Sequence, residues 1–143
     1  MIFLKAKIKN KIIVQKVIKK NNATKSKRHG FADTKKGVHG TKSHPSKYKK
    51  ISRSSDDLEY VTFTHHEEVE IDNEKINTIE LTSNIDPQKR GKEKSRVVPI
   101  VYKGKRSTLG KERTDLSLTN HYQKIVDDLF EKGERRPAPK KSK

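Results

Sequence analysis

The sequence predicts an α+β fold, a small, mostly antiparallel sheet of three to four strands covered by one C-terminal amphipathic helix, with long basic disordered or extended arms outside it. Three observations predict it. The 143-residue chain sorts its charge into blocks, with 16 Lys and Arg against the single acid Asp33 in residues 1–50, ten acids against Arg53 and Lys75 in residues 51–86, and 17 basic residues against seven acids in residues 87–143. Its apolar residues gather at 2–18, 58–81, 97–102 and 116–130, so the segments between 19 and 57 and from 134 to 143 have little to bury. Leu, Ile, Val and Phe number 32, just above the roughly 20% below which a highly charged chain stays disordered. The expected organisation is an apolar and basic segment at 1–18, a flexible basic arm at 19–55, a small core at 56–133 and a disordered basic tail at 134–143.

The first segment alternates Ile2, Leu4, Ala6 and Ile8 with Phe3, Lys5, Lys7 and Lys9, a strand pattern of period two. Ile13, Val14, Val17 and Ile18 beyond it also fit one face of a helix, so this segment reads as a strand hairpin or a short helix. In residues 19–50, Gly30, Gly37, Gly40 and Pro45 interrupt regular structure and the sizeable apolar groups are Phe31, Val38 and Tyr48, which reads as an extended arm.

Leu58 to Thr64 is rich in β-branched and aromatic residues and reads as a strand. Val69 to Ile71 and Ile76 to Leu81 flank Asp72, Asn73, Glu74 and Lys75, which suits a hairpin with a four-residue loop. Residues 84–96 form a charged loop. Val97 to Tyr102 is a further strand, but Pro99 lacks an amide hydrogen, so this strand belongs at a sheet edge or carries a bulge. Leu118, Tyr122, Ile125, Val126, Leu129 and Phe130 draw one apolar stripe along a helix at 118–132, with Ser117 or Thr119 as N-cap and Gly133 just past the end.

The charge layout implies a polyanionic partner for the basic blocks. The expected function is that of a non-enzymatic accessory protein binding nucleic acid, DNA or RNA, through its phosphate backbone. Candidate contacts in the arm are Lys25, Lys27, Arg28, Lys35, Lys36, Lys42, Lys47, Lys49 and Lys50, with Tyr48 and Phe31 spaced among them to stack on unpaired bases or to anchor the arm to the core. A second basic run, Lys103, Lys105, Arg106, Lys111 and Arg113, alternates with Gly104, Ser107, Thr108 and Gly110, whose backbone and hydroxyls suit phosphate oxygens. The alternative is a structural protein that assembles into a larger particle, or self-associates, through its acidic and basic blocks.

Several classes are disfavoured. The spacing from Gly104 to Gly110 and the residue after Lys111 depart from a phosphate-binding loop, so nucleotide hydrolysis is unsupported. His65 or His66 with Asn120 and His121 only loosely imitates a metal-dependent nuclease, and neither metal nor cofactor is expected. The acidic cluster from Asp56 to Glu74 reads more plainly as a partner for the chain's own basic segments or as a solvated face. With no cysteine and no long apolar run, a cytoplasmic setting and no membrane partner are expected.

Overall fold

The computed structural model describes residues 28–89 and 94–140. The segment 1–18, with its strand or helix alternative, lies outside the described residues, as do Lys25 and Lys27. The strands are β1 (His29–Thr34), β2 (Pro45–Lys50), β3 (Asp57–Thr64), β4 (Glu68–Ile71), β5 (Glu74–Asn77), β6 (Ile79–Glu80), β7 (Arg96–Val97), β8 (Ile100–Lys105), β9 (Leu109–Arg113) and β10 (Glu134–Pro137). Among the described residues one α-helix, α1 (Asn120–Lys132), precedes β10, and one 3-10 turn, Arg106–Thr108, joins β8 to β9.

The small sheet expected from the sequence is overturned. Eight strands form one sheet in the order β10-β8-β3-β2-β1-β9, with β7 pairing both β3 and β6 beside that path, and β4 and β5 form a separate two-stranded ribbon. All pairings are antiparallel except that of β10 with β8. Among the described residues the expected long arms are overturned as well, because His29–Thr34 and Pro45–Lys50 supply β1 and β2 in the interior of the sheet and Glu134–Pro137 supplies β10. The physical reason lies in side-chain size. β1 and β2 turn Ala32, Thr34, Ser46 and Tyr48 inward, all 2% exposed or less, and hold Lys47 and Lys49 on the other face. Small inward side chains let strands pack closely without large apolar residues, so a count of Leu, Ile, Val and Phe understates what this segment buries.

The sheet separates two apolar layers. On one face Val61, Phe63, Val97 and Val101 meet Leu81 and the Tyr122 and Val126 side chains of α1, with Leu118, Ile125, Leu129 and Phe130 around them. The helix is C-terminal, as its stripe predicts, and each fully buried apolar side chain contributes roughly 1.5 to 3 kcal/mol before entropy is counted. Thr119 Oγ1 accepts from the Tyr122 amide at 3.2 Å and caps the first turn. Gly133 ends the helix with φ near −67°, so it is not needed for a left-handed cap. A Cβ there would instead stand 2.5 Å from the Leu129 carbonyl oxygen and 3.2 Å from a Val101 methyl, and this close approach is what requires glycine.

On the other face Ala32, Tyr48, Leu58, Tyr60, Val98, Ile100, Tyr102 and Leu109 form a second core, covered by Val69, Ile71 and Ile76 of the ribbon and by Ala138. The ribbon turns through two residues, not four. Ile71 faces Glu74 across the ladder, and Asp72 and Asn73 between them take φ of 53° and 65°, the left-handed pair that suits the twist of a tight hairpin.

Pro99 interrupts the strand as its chemistry requires. Tyr60 faces Tyr102 and Phe63 faces Val97, so Val61 and Thr62 are opposed by four residues, Val98 to Val101. The Val98 amide still donates to the Thr62 carbonyl at 3.0 Å, and Pro99 occupies the resulting two-residue bulge.

Candidate nucleic-acid interface

Most of the acidic middle block is neutralised from within the chain. Lys105 pairs with Asp57 at 2.6 Å, Arg135 with Glu59 at 3.1 Å, and Arg96 and Lys94 with Glu80 at 3.0 and 3.3 Å. Arg136, beside β4 and β5, reaches Asp72 at 3.3 Å and Glu74 at 3.2 Å, and also contacts Glu134. The tail thus lies beside the acidic ribbon as part of the fold.

The candidate contacts divide accordingly. Arg28, Lys35, Lys36, Lys42, Lys49, Lys103, Lys105 and Lys111 are exposed, whereas Lys47 is partly covered and sits 4.6 Å over the Phe31 ring. Lys35 and Lys36 open the β1–β2 connection, Lys42 lies near its end, and Lys35 approaches Gly110 of β9. On the helix side of the sheet Lys49 and Lys103 stand on either side of Glu59 in neighbouring strands.

The remaining candidates are structural. Tyr48 is 2% exposed. Its hydroxyl donates to Glu112 Oε2 at 2.8 Å, its ring lies 5.4 Å from the Arg106 guanidinium, and burial first, then Glu112, pushes its pKa up to about 12. Arg106 donates to the Leu109 and Gly110 carbonyls at 3.1 and 2.9 Å, closing the turn between β8 and β9. Lys50 is buried, its ammonium 3.4 Å from the Arg53 carbonyl. Arg113 is buried among Asp33, Asp86 and Asp115 at 2.9, 2.7 and 2.8 Å, and its hydrogen bonds, led by that to Asp115, hold its pKa above the ordinary arginine value.

Four histidines line one trough. A cleft of about 550 Å³ is bounded by His39, His44 and Lys42 from the β1–β2 connection, by Thr62, Thr64 and His66 from β3 and its exit, and by Glu68, Glu70 and Asp72 from β4 and its turn. A second pocket of about 210 Å³, which includes His65 and Ser95, shares Lys42, His44, Thr64 and His66 with the first. Gly37 and Gly40, at φ of 90° and 83°, let the β1–β2 connection fold back to form this wall.

The histidines are held in place. His39 Nε2 and the Tyr60 hydroxyl are 2.7 Å apart, and the His39 ring lies 4.5 Å from that of Tyr102, which stacks on Tyr60 at 5.3 Å. Burial, then the neighbouring His44, lowers the pKa of His39 to about 4, so its ring is neutral at pH 7. His44 Nε2 donates to the His39 carbonyl at 3.2 Å, and burial lowers its pKa also. His65 pairs with Asn84 Oδ1 at 3.1 Å.

This trough is the part of the surface that sequence reasoning missed. No local pattern marks it, since its histidines come from the β1–β2 connection and from the exit of β3. Among the described residues no group of three or more His, Cys, Asp or Glu side chains is placed to hold a metal ion. Comparison with known protein families, curated proteins and solved structures finds no match. No helix among the described residues is long and apolar enough to cross a membrane.

Proposed function

We propose that this protein is a non-enzymatic nucleic-acid-binding accessory protein that grips phosphate backbones through its exposed lysines. One observation carries the reading. The acids of the middle block are largely engaged by Arg96, Arg135, Arg136, Lys94 and Lys105, while Lys35, Lys36, Lys42, Lys49, Lys103 and Lys111 are exposed and join no ion pair among the described residues. An unpaired surface lysine is available to neutralise a phosphate, and each such contact releases cations condensed on the nucleic acid.

The test is a mobility-shift titration of random duplex and single-stranded oligonucleotides over a salt series. Wild-type protein binds both, with log K falling against log salt by roughly 0.9 for each phosphate neutralised on duplex. Changing the six lysines to alanine flattens that slope by several units. Absence of binding at low salt overturns the reading.

A second reading has an observation of its own. Glu67, Glu68 and Glu70 are exposed and join no ion pair among the described residues, so the acidic ribbon of one copy complements the lysines of another. Salt-sensitive self-association in sedimentation velocity, without nucleic-acid binding, would select an assembly role.

A further inference from the structure

We infer that the histidine-lined trough is a subsite for two consecutive nucleotides of an unpaired strand, with the phosphodiester between them seated on the saddle formed by Lys42, His44, Thr64 and His66. The inference rests on the nucleic-acid reading above and adds to it a preference for single strands. Three features lead to it.

The first is size. The larger cleft, at about 550 Å³, falls inside the range of roughly 300 to 1,000 Å³ usual for a ligand site, whereas the smaller, at about 210 Å³, falls below it. The smaller pocket is therefore an extension that receives the continuation of a ligand already held in the larger one. A chain of repeating units fits such a pair of compartments better than an isolated small molecule does.

The second is the distribution of charge. Of the four residues common to both pockets, Lys42, His66 and Thr64 offer an ammonium, an imidazole and a hydroxyl capable of donating to phosphate oxygens, while His44, whose Nε2 proton goes to the His39 carbonyl, shapes the saddle beside them. The larger cleft is also lined by Glu68, Glu70 and Asp72. A di- or triphosphate would bring its charge against those carboxylates. A nucleotide unit has one anionic group for the saddle, while its exocyclic amines and sugar hydroxyls are donors that carboxylates accept.

The third is the ring stack. Tyr60 and Tyr102 stack on each other and are buried, 0% and 2% exposed, and they back the half-buried His39 ring, which is fixed by its contact with Tyr60 and is the ring offered to a base at the cleft lining. Unpaired bases stack on aromatic and histidine rings, and a paired base in a duplex cannot present its face in this way.

The experiment uses the full chain and a Lys42→Ala/His66→Ala variant, both positions being exposed, with thermal melting to establish that the variant is folded. The probes are the dinucleoside monophosphates ApA and dCpdC, whose bases carry exocyclic amines, followed by amide chemical shifts, together with a single-stranded oligonucleotide and its duplex. Expected are saturable shifts at residues of the cleft with either dinucleotide, weakened tenfold or more in the variant. A single-strand preference in the wild type should be lost in the variant, with the salt slope on duplex reduced by no more than about one or two units. Dinucleotides that bind nowhere near the cleft, or a single-strand preference unchanged in the variant, overturn the inference while leaving duplex binding by the lysines intact. Loss of all polymer binding at low salt would instead remove the broader reading, and dinucleotide binding would still be scored separately.

Discussion

The Arg113 guanidinium and the Asp86 carboxylate, 27 residues apart in the chain, meet at 2.7 Å with 8% and 4% of their side chains exposed. Asp33 and Asp115 complete the set around the same guanidinium, so one cation ties together three carboxylates from β1, the 84–89 loop and the segment after β9. Removing one partner of a buried pair leaves an uncompensated charge, which costs about 3 to 5 kcal/mol. Arg113→Ala is therefore expected to lower the unfolding free energy by that amount, read as a lower urea midpoint at an unchanged slope. Arg113→Lys should fall between, because an ammonium cannot fork to three acceptors. A loss below about 1 kcal/mol in the alanine variant would show that the acids find other partners.

Acid sensitivity is expected from His39. Its pKa is about 4 in the folded protein and 6.5 in the unfolded chain. Above pH 6.5 the ring is neutral in both states and its full contribution is present; as pH falls from 6.5 toward 4 the unfolded state takes up the proton first, so stability declines. The lowered pKa corresponds to about 3 kcal/mol across that window. The groups around it are His44, also lowered, and Tyr60 and Tyr102, both raised by burial and neutral throughout. Denaturant titrations at pH 7, 5.5 and 4.5 should show the decline, and His39→Gln should flatten it.

The turn of the acidic ribbon is expected to respond to backbone chemistry. Asn73 sits at φ 65°, where asparagine is tolerated and glycine is at no cost. Asn73→Gly should leave stability unchanged or raise it slightly, and Asn73→Val should lower it by roughly 1 to 2 kcal/mol. Thermal melts of the two variants check the order.

Arg136 should matter locally more than globally. Its side chain is 14% exposed, but its partners Asp72 and Glu74 are 78% and 62% exposed, and pairs so open to solvent contribute little to stability. Arg136→Ala is expected to shift the global melt little while speeding hydrogen exchange at amides of β4 and β5. Added salt at about 1 M should reproduce part of that effect in the wild type by screening.

The parts of the fold with strong periodicity were legible. The Leu118 to Phe130 stripe gave α1, the β-branched run gave β3, and Asp72 and Asn73 marked a turn at the right place. β1 and β2 were not legible, because their inward residues are Ala32, Thr34, Ser46 and Lys50 beside a single Tyr48, and their outward lysines mimic a solvated arm. Their order comes from β3 and β9 on either side, which is information remote in sequence. The same remoteness hid the trough. His39 and His44 are brought to His66 only when β2 pairs with β3, and nothing in the local sequence of either segment indicates that meeting.

The bulge at Pro99 carries a rule for length variation. Because it holds two surplus residues, the alternation of β7 and β8 is in phase, with Val97 and Val101 on the helix side and Ile100 and Tyr102 on the other. Loss of Val98 and Pro99 together would set Ile100 opposite Thr62 and Val101 opposite Val61, an uninterrupted ladder with every side chain on its present face. A change of one residue has no such outcome: it must turn one strand over or create a new bulge. Insertions and deletions between residues 97 and 100 should therefore be accepted in pairs, and single-residue changes there should be as damaging as a substitution in the core.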